Sequence, residues 1–328
     1  MKVVIFIRKK RENDNSIEEI FHLLMQYMGT DVELVELPYG DASFSSIIKN
    51  ILYARRFRGD VNHISGEVHY IALGTGRNTV ITVHDVWTIL RGGTLSRYLK
   101  KLLFFTLPMK IANRITVISN FTKREVLAVC PWASDKIRVI GNPIALSLTT
   151  QPFASKHKNK TSIVLHVGTR PHKNLESVMK AIHNLDVRLV VIGRMTQEQI
   201  DIAESYGLNL TNYYNLEYQE VLNWYRKADI VTLPSFKEGF GMPLLEANLM
   251  GTPIIASDID VLHEVAGDAA YYIDPNSAED IRAGIIKLLG DKELYVKLIG
   301  NGYKNIRRFA PDYIAGQYKT VYNEITNS

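Results

Sequence analysis

The stretch SFKEGFGMPLLEANLMGTPIIAS, residues 235–257, contains the features that decide the fold. It follows the apolar run DIVTLP at 229–234 and ends in a second run, TPIIAS at 252–257. Each run has the length and the β-branched composition of a buried strand. Pro243 suits the first turn of a helix, because the backbone N–H that proline lacks has no partner there. The stretch therefore predicts a strand, a glycine loop, a helix and another strand.

The same alternation continues along the chain. VVIFI at 3–7 precedes the helical pattern SIEEIFHLLMQYM at 16–28, and only the polar stretch LSLTTQPFASKHKNKTS at 146–162 interrupts the alternation, as a linker would. Strands are predicted at 3–7, 32–37, 61–65, 79–85, 114–119, 136–143, 162–168, 188–193, 229–234, 252–257 and 269–274. Continuous apolar strands separated by helices favour parallel sheets covered on both faces. The chain is thus predicted to be an α/β protein with two doubly wound domains, which bind ligands at the carboxyl ends of their strands.

Composition sets broader limits. The 328 residues are enough for two domains, and the net charge of +5 suits an anionic small molecule, a membrane surface or nucleic acid without choosing among them. Cys130 is the only cysteine, which excludes an intrachain disulfide and favours a reducing, cytoplasmic setting. The N-terminal MKVVIFIRKKRE is not typical of a signal peptide, and no apolar run is long enough to span a membrane.

The glycine loop has the chemistry of a ligand site. Gly239 and Gly241 allow close backbone approach and leave amides free at a helix N-terminus, where phosphate binds readily. Glu238 and Glu246 flank the same loop, and a carboxylate can accept two hydrogen bonds from a ribose or sugar diol. The alternative is a helix-capping loop with two solvated glutamates.

Several segments together resemble the retaining glycosyltransferases of family 4, which have the GT-B fold. PSFKEGFGMPLLEANLMGTPIIAS is similar to the signature of that family, in which two glutamates are separated by seven residues. IVLHVGTRPHKNLESVMKAI resembles the family's phosphate-contacting turn, and LEYQEVLNWYRKADIVTLPS resembles the segment that frames the nucleobase. TVITVHDV, RITVISNFTKREV and KIRVIGNPI match elements of the N-terminal domain in order, so the resemblance covers roughly residues 60 to 285.

The resemblance implies a GT-B architecture, with two Rossmann-like domains facing a central cleft. We expect an acceptor-side domain at 1–147 and a nucleotide-sugar-binding domain at 148–308. Residues 309–328 would form a helix that crosses back to the N-terminal domain.

The resemblance also implies a donor site for a nucleotide-diphosphate sugar. Glu238 would hold hydroxyls of the donor sugar, Glu246 the ribose, and Lys173 the diphosphate, so that no metal ion or further cofactor is needed. Arg170 stands one place further from the strand glycine than the arginine of many relatives. The remaining predicted donor contacts are Gly168, Thr169, Leu216, Gly239, Phe240, Gly241 and Met242.

His84 and Asp85 end a strand of the first half, in TVHD. The family resemblance implies that His84 contacts the donor sugar or phosphate, with a positioning role rather than that of a general base. Asp85 would orient the imidazole or cap the following turn. A structural role for a lone histidine is the alternative. With His84, Lys173 and Glu238 as catalytic residues, the family's retaining mechanism needs no protein nucleophile.

Two basic segments concern the acceptor. Lys9, Lys10 and Arg11, followed by Asn13 and Asn15, replace the glycine loop of many relatives and form either a solvated loop or an electropositive acceptor lip. LSRYLKKLLFFTLPMKIANRI at 95–115 is either a membrane-interface helix or a core helix with a basic outer face, and YARRFRG at 53–59 adds positive charge.

We therefore predict a metal-independent retaining glycosyltransferase of bacterial surface polysaccharide synthesis. Its predicted partners are a nucleotide-sugar donor, a saccharide or lipid-linked acceptor and the inner face of the plasma membrane, but no nucleic acid. A nucleotide-sugar 2-epimerase on a similar scaffold and a non-catalytic nucleotide-sugar-binding protein are the alternatives.

Overall fold

A computed structural model describes residues 1–9, 16–29, 31–86, 94–145 and 161–327. Lys10, Arg11, Asn13 and Asn15 lie outside these ranges, as does most of the predicted linker. The chain divides into a first unit, Met1–Ala145 with Phe309–Ser328, and a second unit, Leu146–Arg308. Each unit is described by itself.

The first unit contains a six-stranded parallel sheet in the order β2-β1-β3-β4-β5-β6. Its strands are β1 (Val3–Ile7), β2 (Val32–Glu36), β3 (Val61–Ile64), β4 (Thr79–Val83), β5 (Arg114–Val117) and β6 (Ile137–Val139). All six strands were predicted from their apolar or β-branched residues, and the four central strands, β1, β3, β4 and β5, are almost fully buried in the sheet.

Helices cover both faces of this sheet. They are α1 (Ser16–Met28), α2 (Phe44–Arg56), α3 (Ala72–Thr75), α4 (Thr94–Lys101), α5 (Leu107–Ile111), α6 (Asn120–Val129) and the C-terminal helix (Pro311–Thr326). A π-helical turn, Leu102–Thr106, joins α4 to α5. On one face α2, α3, α5 and α6 enclose an apolar core, and on the other face α1 and the C-terminal helix enclose a second core.

The C-terminal helix is fastened to the sheet by a buried polar network. Nδ1 of His63 lies 2.6 Å from the Tyr322 hydroxyl, and Nε2 lies 2.6 Å from Oγ1 of Thr82. Both ring nitrogens therefore have partners without a charge on the imidazole, and burial lowers the pKa of His63 to about 3. The helix that ends the chain thus belongs to the first unit.

The second unit contains another six-stranded parallel sheet, in the order β12-β11-β10-β7-β8-β9. Its strands are β7 (Ser162–Val167), β8 (Val187–Ile192), β9 (Leu210–Tyr213), β10 (Ile230–Leu233), β11 (Ile254–Ser257) and β12 (Tyr271–Ile273). Five of them were predicted. β9 was missed because it is a half-buried edge strand of sequence LTNY, which lacks the apolar run that marks the others.

The order of this second sheet indicates where a ligand binds. From β7 the chain adds β8 and β9 on one side of the sheet and then β10, β11 and β12 on the other side. The strand order therefore reverses between β7 and β10, which are parallel, hydrogen-bonded neighbours. In doubly wound folds the ligand lies outside the carboxyl ends of the strands at such a switch point. The surrounding helices are α7 (Leu175–Ile182), α8 (Gln197–Ser205), α9 (Tyr218–Lys227), α10 (Met242–Leu249), α11 (Asp260–Ala266), α12 (Ala278–Gly290) and α13 (Lys292–Asn305). In the parts of the chain that the structure describes, no helix is both long enough and apolar enough to cross a bilayer.

Candidate functional site

The turn after β7 is built around a glycine and a left-handed asparagine. Gly168 has φ 98°, and a Cβ atom there would lie 3.0 Å from Cγ of Lys173. Asn174 has φ 62°, and its side-chain amide donates to the carbonyl oxygens of Pro234 at 3.0 Å and Pro275 at 2.7 Å. The turn is therefore held against the segments that follow β10 and β12, with the Lys173 side chain packed over Gly168.

The loop after β10 meets this turn directly. The Phe236 N–H donates to the carbonyl oxygen of His172 at 2.9 Å. Nζ of Lys173 donates to Oε1 of Glu238 at 2.6 Å, and these two side chains are only 17% and 10% exposed. Two residues that are 65 positions apart in sequence thus form a mostly buried ion pair at the switch point.

The glycine loop ends at α10 in the way that an anion site requires. Gly241 precedes the helix with φ 96°, and a Cβ atom there would lie 2.6 Å from Cδ2 of Leu262. Any larger residue at this position would therefore be both strained and obstructed. The helix begins at Met242, Pro243 has no N–H, and the Leu244 N–H donates to the carbonyl oxygen of Gly241 at 2.9 Å. The first turn therefore leaves the Met242 amide beside the glycine loop in sequence.

Glu246 lies on α10 and is partly buried. Burial raises the pKa of its carboxyl above the ordinary value, while the nearby hydroxyls of Tyr225 and Tyr218 and the charge of Lys173 lower it. By distance and angle the buried Tyr225 hydroxyl makes no hydrogen bond within the described part of the chain, so its effect on Glu246 is that of a nearby polar group. Sequence reasoning missed this tyrosine pair, since nothing in the spacing of residues on α9 shows that the helix faces α10.

The other predicted donor residues lie around the same edge of the second sheet. Burial lowers the pKa of His172, and the charge of Lys173 lowers it further, as does that of the exposed Arg170. Oγ1 of Thr169 donates to the carbonyl oxygen of Arg194, directly after β8, and Leu216 follows β9. The turn after β7 is thereby also joined to the neighbouring strand.

His84 belongs to the first unit, where it follows β4. Burial lowers its pKa to about 3, assisted by the charges of His69 and Arg8, so the imidazole is neutral near pH 7. Its Nε2 atom is buried and has no partner among the described residues. His84 lines a small recess together with Gly66, Glu67, His69, Asp85, Phe104 and Phe105. Its contact with a donor, and the cleft predicted between the domains, stay predictions.

The basic segment that follows β1 was predicted to be a solvated loop or an electropositive acceptor lip, but its first residue is buried. Arg8 is buried, and its Nε donates to Oε1 of Glu18 at 2.6 Å, in the first turn of α1. Oε2 of Glu18 is buried without a partner in the described part of the chain. Lys9, by contrast, is exposed. Arg8 directly follows an apolar strand, which is a signal that could have separated it from the exposed lysine.

The helical segment from α4 to α5 is buried at one end, as a core helix would be, and its membrane contact stays a prediction. Phe105 and Met109 are buried in the core of the first unit. Tyr98 and Leu99 are exposed on α4 beside Arg97 and Lys101. The segment is therefore a core helix at one end and an apolar and basic surface at the other.

Solved structures establish the fold class. The structure resembles Anabaena Alr3699/HepE, crystallised in complex with UDP and glucose, with a TM-score of 0.78 at 14% identity; the match covers 99% of this chain and 100% of that one. Two doubly wound parallel sheets in tandem with this likeness define a GT-B protein, so the predicted fold class is confirmed.

Sequence comparison identifies the family. Residues 26–148 match the model of Glycosyltransferase Family 4, and residues 148–305 match that of Glycosyl transferases group 1. Together the two matches span residues 26–305, and this chain belongs to the glycosyltransferases of family 4, as the resemblance in its sequence predicted.

Two of the similar proteins are named as O-antigen chain mannosyltransferases. The O-antigen chain mannosyltransferase RfbU of Salmonella typhimurium is 31% identical over 223 residues, which cover 64% of this chain and 60% of that protein. The O-antigen chain mannosyltransferase B of Escherichia coli is 26% identical over 248 residues, which cover 69% and 64%. The match thus spans less than two thirds of the length of either relative.

Proposed function

We propose that this protein is a retaining glycosyltransferase that moves a sugar from a nucleotide-diphosphate sugar to a saccharide or lipid-linked acceptor. The Lys173–Glu238 pair is the observation that carries the proposal. It places a cation and a carboxylate 2.6 Å apart at the switch point of the second sheet, beside the amino end of α10. A nucleotide-diphosphate sugar would use both groups, the cation for its diphosphate and the carboxylate for its sugar hydroxyls.

Lys173 and the amides of the glycine loop would bind the diphosphate. The lysine supplies positive charge, and the amides of Phe240 and Gly241 together with the amino end of α10 supply aligned dipoles. Such groups can stabilise the charge that develops on a departing phosphate. This arrangement supports a reaction that needs no metal ion, as the sequence predicted.

The two glutamates would hold the rest of the donor. Glu238 accepts hydrogen bonds from hydroxyls of the sugar while it keeps Lys173 in place. Glu246 accepts them from the ribose, and the hydroxyls of Tyr225 and Tyr218 favour the ionised carboxylate that this contact requires. Both carboxylates thus have a role that acceptor-only groups perform well.

His84 would contact the donor sugar or phosphate from the first unit. A neutral imidazole is able to donate one hydrogen bond and accept another, which suits a positioning role. The acceptor hydroxyl would attack on the face that the diphosphate leaves, and a phosphate oxygen would take its proton. Retention of configuration follows without a protein nucleophile.

The names of the relatives narrow the substrates to be tested. Two of them are O-antigen chain mannosyltransferases, which supports an acceptor in bacterial surface polysaccharide synthesis and makes mannosyl donors the first choice. The UDP and glucose of a structural neighbour support a nucleotide-sugar donor. We further propose a cytoplasmic enzyme, peripheral at the inner face of the plasma membrane, where a lipid-linked acceptor would be found.

Incubation with a panel of nucleotide sugars, with and without saccharide acceptors, tests the function. Acceptor-dependent release of nucleoside diphosphate supports transfer, whereas isomerised donor would show an epimerase and binding without turnover a non-catalytic protein. Glu238→Gln should lower turnover at least about a hundredfold, because an oriented contact in a transition state contributes on the order of 3 kcal/mol. Glu293→Gln, at an exposed position in the first turn of α13, is the matched control and should leave turnover unchanged.

A further inference from the structure

Helix α2 packs on the first unit with a face that combines apolar and polar residues. Its buried residues are Ser46, Ile47, Asn50 and Ala54. The side-chain amide of Asn50 donates to the carbonyl oxygen of Tyr39 at 2.9 Å and to the hydroxyl of Tyr70 at 2.8 Å. The Ser46 hydroxyl donates to Oδ2 of Asp41 at 2.8 Å. The polar groups on the inner face are therefore satisfied, and this face is stably attached.

The outer face of the same helix is apolar. Phe44, Ile48 and Leu52 are 78%, 40% and 54% exposed, and their spacing of four residues aligns them along the helix. We call these three residues the α2 stripe. A surface helix ordinarily keeps its large apolar side chains on the buried face, so three such side chains in line on the exposed face of α2 depart from the usual pattern. Apolar surface of this kind marks contact with another body.

The charged residues on α2 itself are all positive, and the acidic residue that precedes them is Asp41 at the helix cap. Between residues 42 and 59 the sequence has no acidic residue, and its cations are Lys49, Arg55, Arg56 and Arg58. Lys49, Arg55 and Arg56 are exposed on the helix itself. Asp41, just before the helix, accepts hydrogen bonds from Ser43 and Ser46 as part of the helix cap. The partner of this surface must therefore be apolar in its interior and negatively charged at its edge.

We propose that the α2 stripe docks on an anionic lipid bilayer, with the helix lying in the plane of the interface. A line of apolar side chains along one helix can enter the acyl boundary together while the flanking arginines and lysine reach the headgroups. Anionic lipids of the cytoplasmic leaflet attract such cations. A second copy of the chain is a poor partner, because two cationic faces would repel each other.

This inference deepens the proposed function, on which it rests for its purpose, since docking would bring the enzyme to a lipid-linked acceptor. The surface differs from the one predicted at 95–115, because α2 contributes a complete stripe of its own. Neighbouring α3 packs against both α2 and α5 and exposes Leu73, so apolar surface continues beyond α2 within the same helical layer.

Vesicle co-sedimentation of the full chain tests the proposal. The probe is a set of large unilamellar vesicles of phosphatidylcholine with and without 30% phosphatidylglycerol. The wild type should bind the anionic vesicles and bind them less strongly at high salt, which screens the cations. Phe44→Ser/Ile48→Ser/Leu52→Ser should weaken binding at least about tenfold, because each such side chain contributes roughly that factor when fully buried. Lys49→Gln/Arg55→Gln/Arg56→Gln should weaken it by about fivefold per cation.

The matched control changes three apolar residues of similar exposure elsewhere, Ile286, Val296 and Tyr313, to serine. It should bind vesicles as the wild type does. The proposal is overturned if the wild type binds no anionic vesicle, if the stripe variant binds as well as the control, or if light scattering shows a dimer that only the stripe variant loses. An assay of sugar transfer to a soluble acceptor separates membrane docking from the proposed enzymatic function. Transfer without vesicle binding would refute the docking surface alone, and vesicle binding without transfer would refute the proposed function alone.

Discussion

Replacing Lys173 by alanine gives the sharpest test of the donor site. Its Nζ lies 2.6 Å from Oε1 of Glu238, with the two side chains 17% and 10% exposed. Breaking a fully buried pair costs about 3–5 kcal/mol, because the remaining charge has no compensation. Since both side chains keep some contact with water, we expect a smaller loss of unfolding free energy, about 1–3 kcal/mol. Thermal unfolding should therefore begin earlier by about 2–4 °C for each kcal/mol.

The same substitution should weaken nucleoside-diphosphate binding. A hydrogen bond to a charged group contributes about 1.5–3 kcal/mol, and each 1.4 kcal/mol is about tenfold in affinity. Titration calorimetry with UDP and GDP should thus show a dissociation constant that rises by roughly ten- to a hundredfold for whichever nucleotide the wild type binds. Lys180→Ala is the control, since that lysine is 61% exposed and its contact with Glu279 is long, at 3.7 Å.

A double variant separates stability from binding. In Lys173→Ala/Glu238→Gln the uncompensated carboxylate is gone, so the unfolding free energy should recover most of its loss. Affinity for the nucleoside diphosphate should not recover, because the cation is still absent. Wild-type affinity in either variant would refute the assignment of Lys173 to the diphosphate, and unchanged unfolding of the single variant would refute the buried pair.

Three further predictions concern the same site. Gly168→Ala should lower diphosphate affinity several-fold, because a Cβ atom would displace Lys173, whereas Gly207→Ala, also at positive φ but with open space around it, should affect stability alone; equal affinities of the two variants would contradict this. Tyr225→Phe removes a hydroxyl that lowers the pKa of Glu246, so the loss of donor affinity on acidification should move to higher pH. Calorimetry between pH 5 and 8 that shows no movement would exclude this coupling. EDTA should leave transfer intact, since protein cations neutralise the diphosphate, and a loss restored only by a divalent ion would disprove that.

The raised pKa of Glu246 also predicts the direction of the pH effect on stability. The folded state holds a proton on this carboxyl more tightly than the unfolded chain, where the ordinary glutamate value applies. Its contribution to stability is therefore present below the ordinary pKa and is lost as pH rises through the raised value. Donor binding needs the ionised form and follows the opposite course. Glu246→Gln should remove both effects, which chemical denaturation across pH would show.

Local patterns in the sequence were sufficient for eleven of the twelve strands that the structure describes and for the glycines of the ligand loop. Runs such as those of β1 (VVIFI) and β10 (IVTL) are apolar or β-branched throughout because both faces of a parallel sheet are covered, so they can be recognised without knowing their neighbours. Gly168 and Gly241 were identified beside the predicted ligand and indeed have φ 98° and 96°. β9 was missed because a half-buried edge strand shows no such run.

Neighbours that are distant in sequence came only from the tertiary structure. Two contacts depend on β10 lying next to β7: the bond of Lys173 to Glu238 and that of Asn174 to Pro234. The approach of Tyr225 to Glu246 depends in the same way on how α9 packs beside α10. Sheet order is a property of the whole packed unit, and no local pattern encodes it.

For the helices, too, the tertiary structure decided what the sequence did not. Helices were expected between the strands, but nothing in the sequence indicated that α2 turns Asn50 inward and Phe44 outward. The groups that the core presents to the helix decide which face is buried, and here these are the apolar core around Ile47 and Ala54 and the polar atoms of Tyr39 and Tyr70. A chain thus determines its elements by local composition, and packing decides which of their surfaces remain for substrate or membrane.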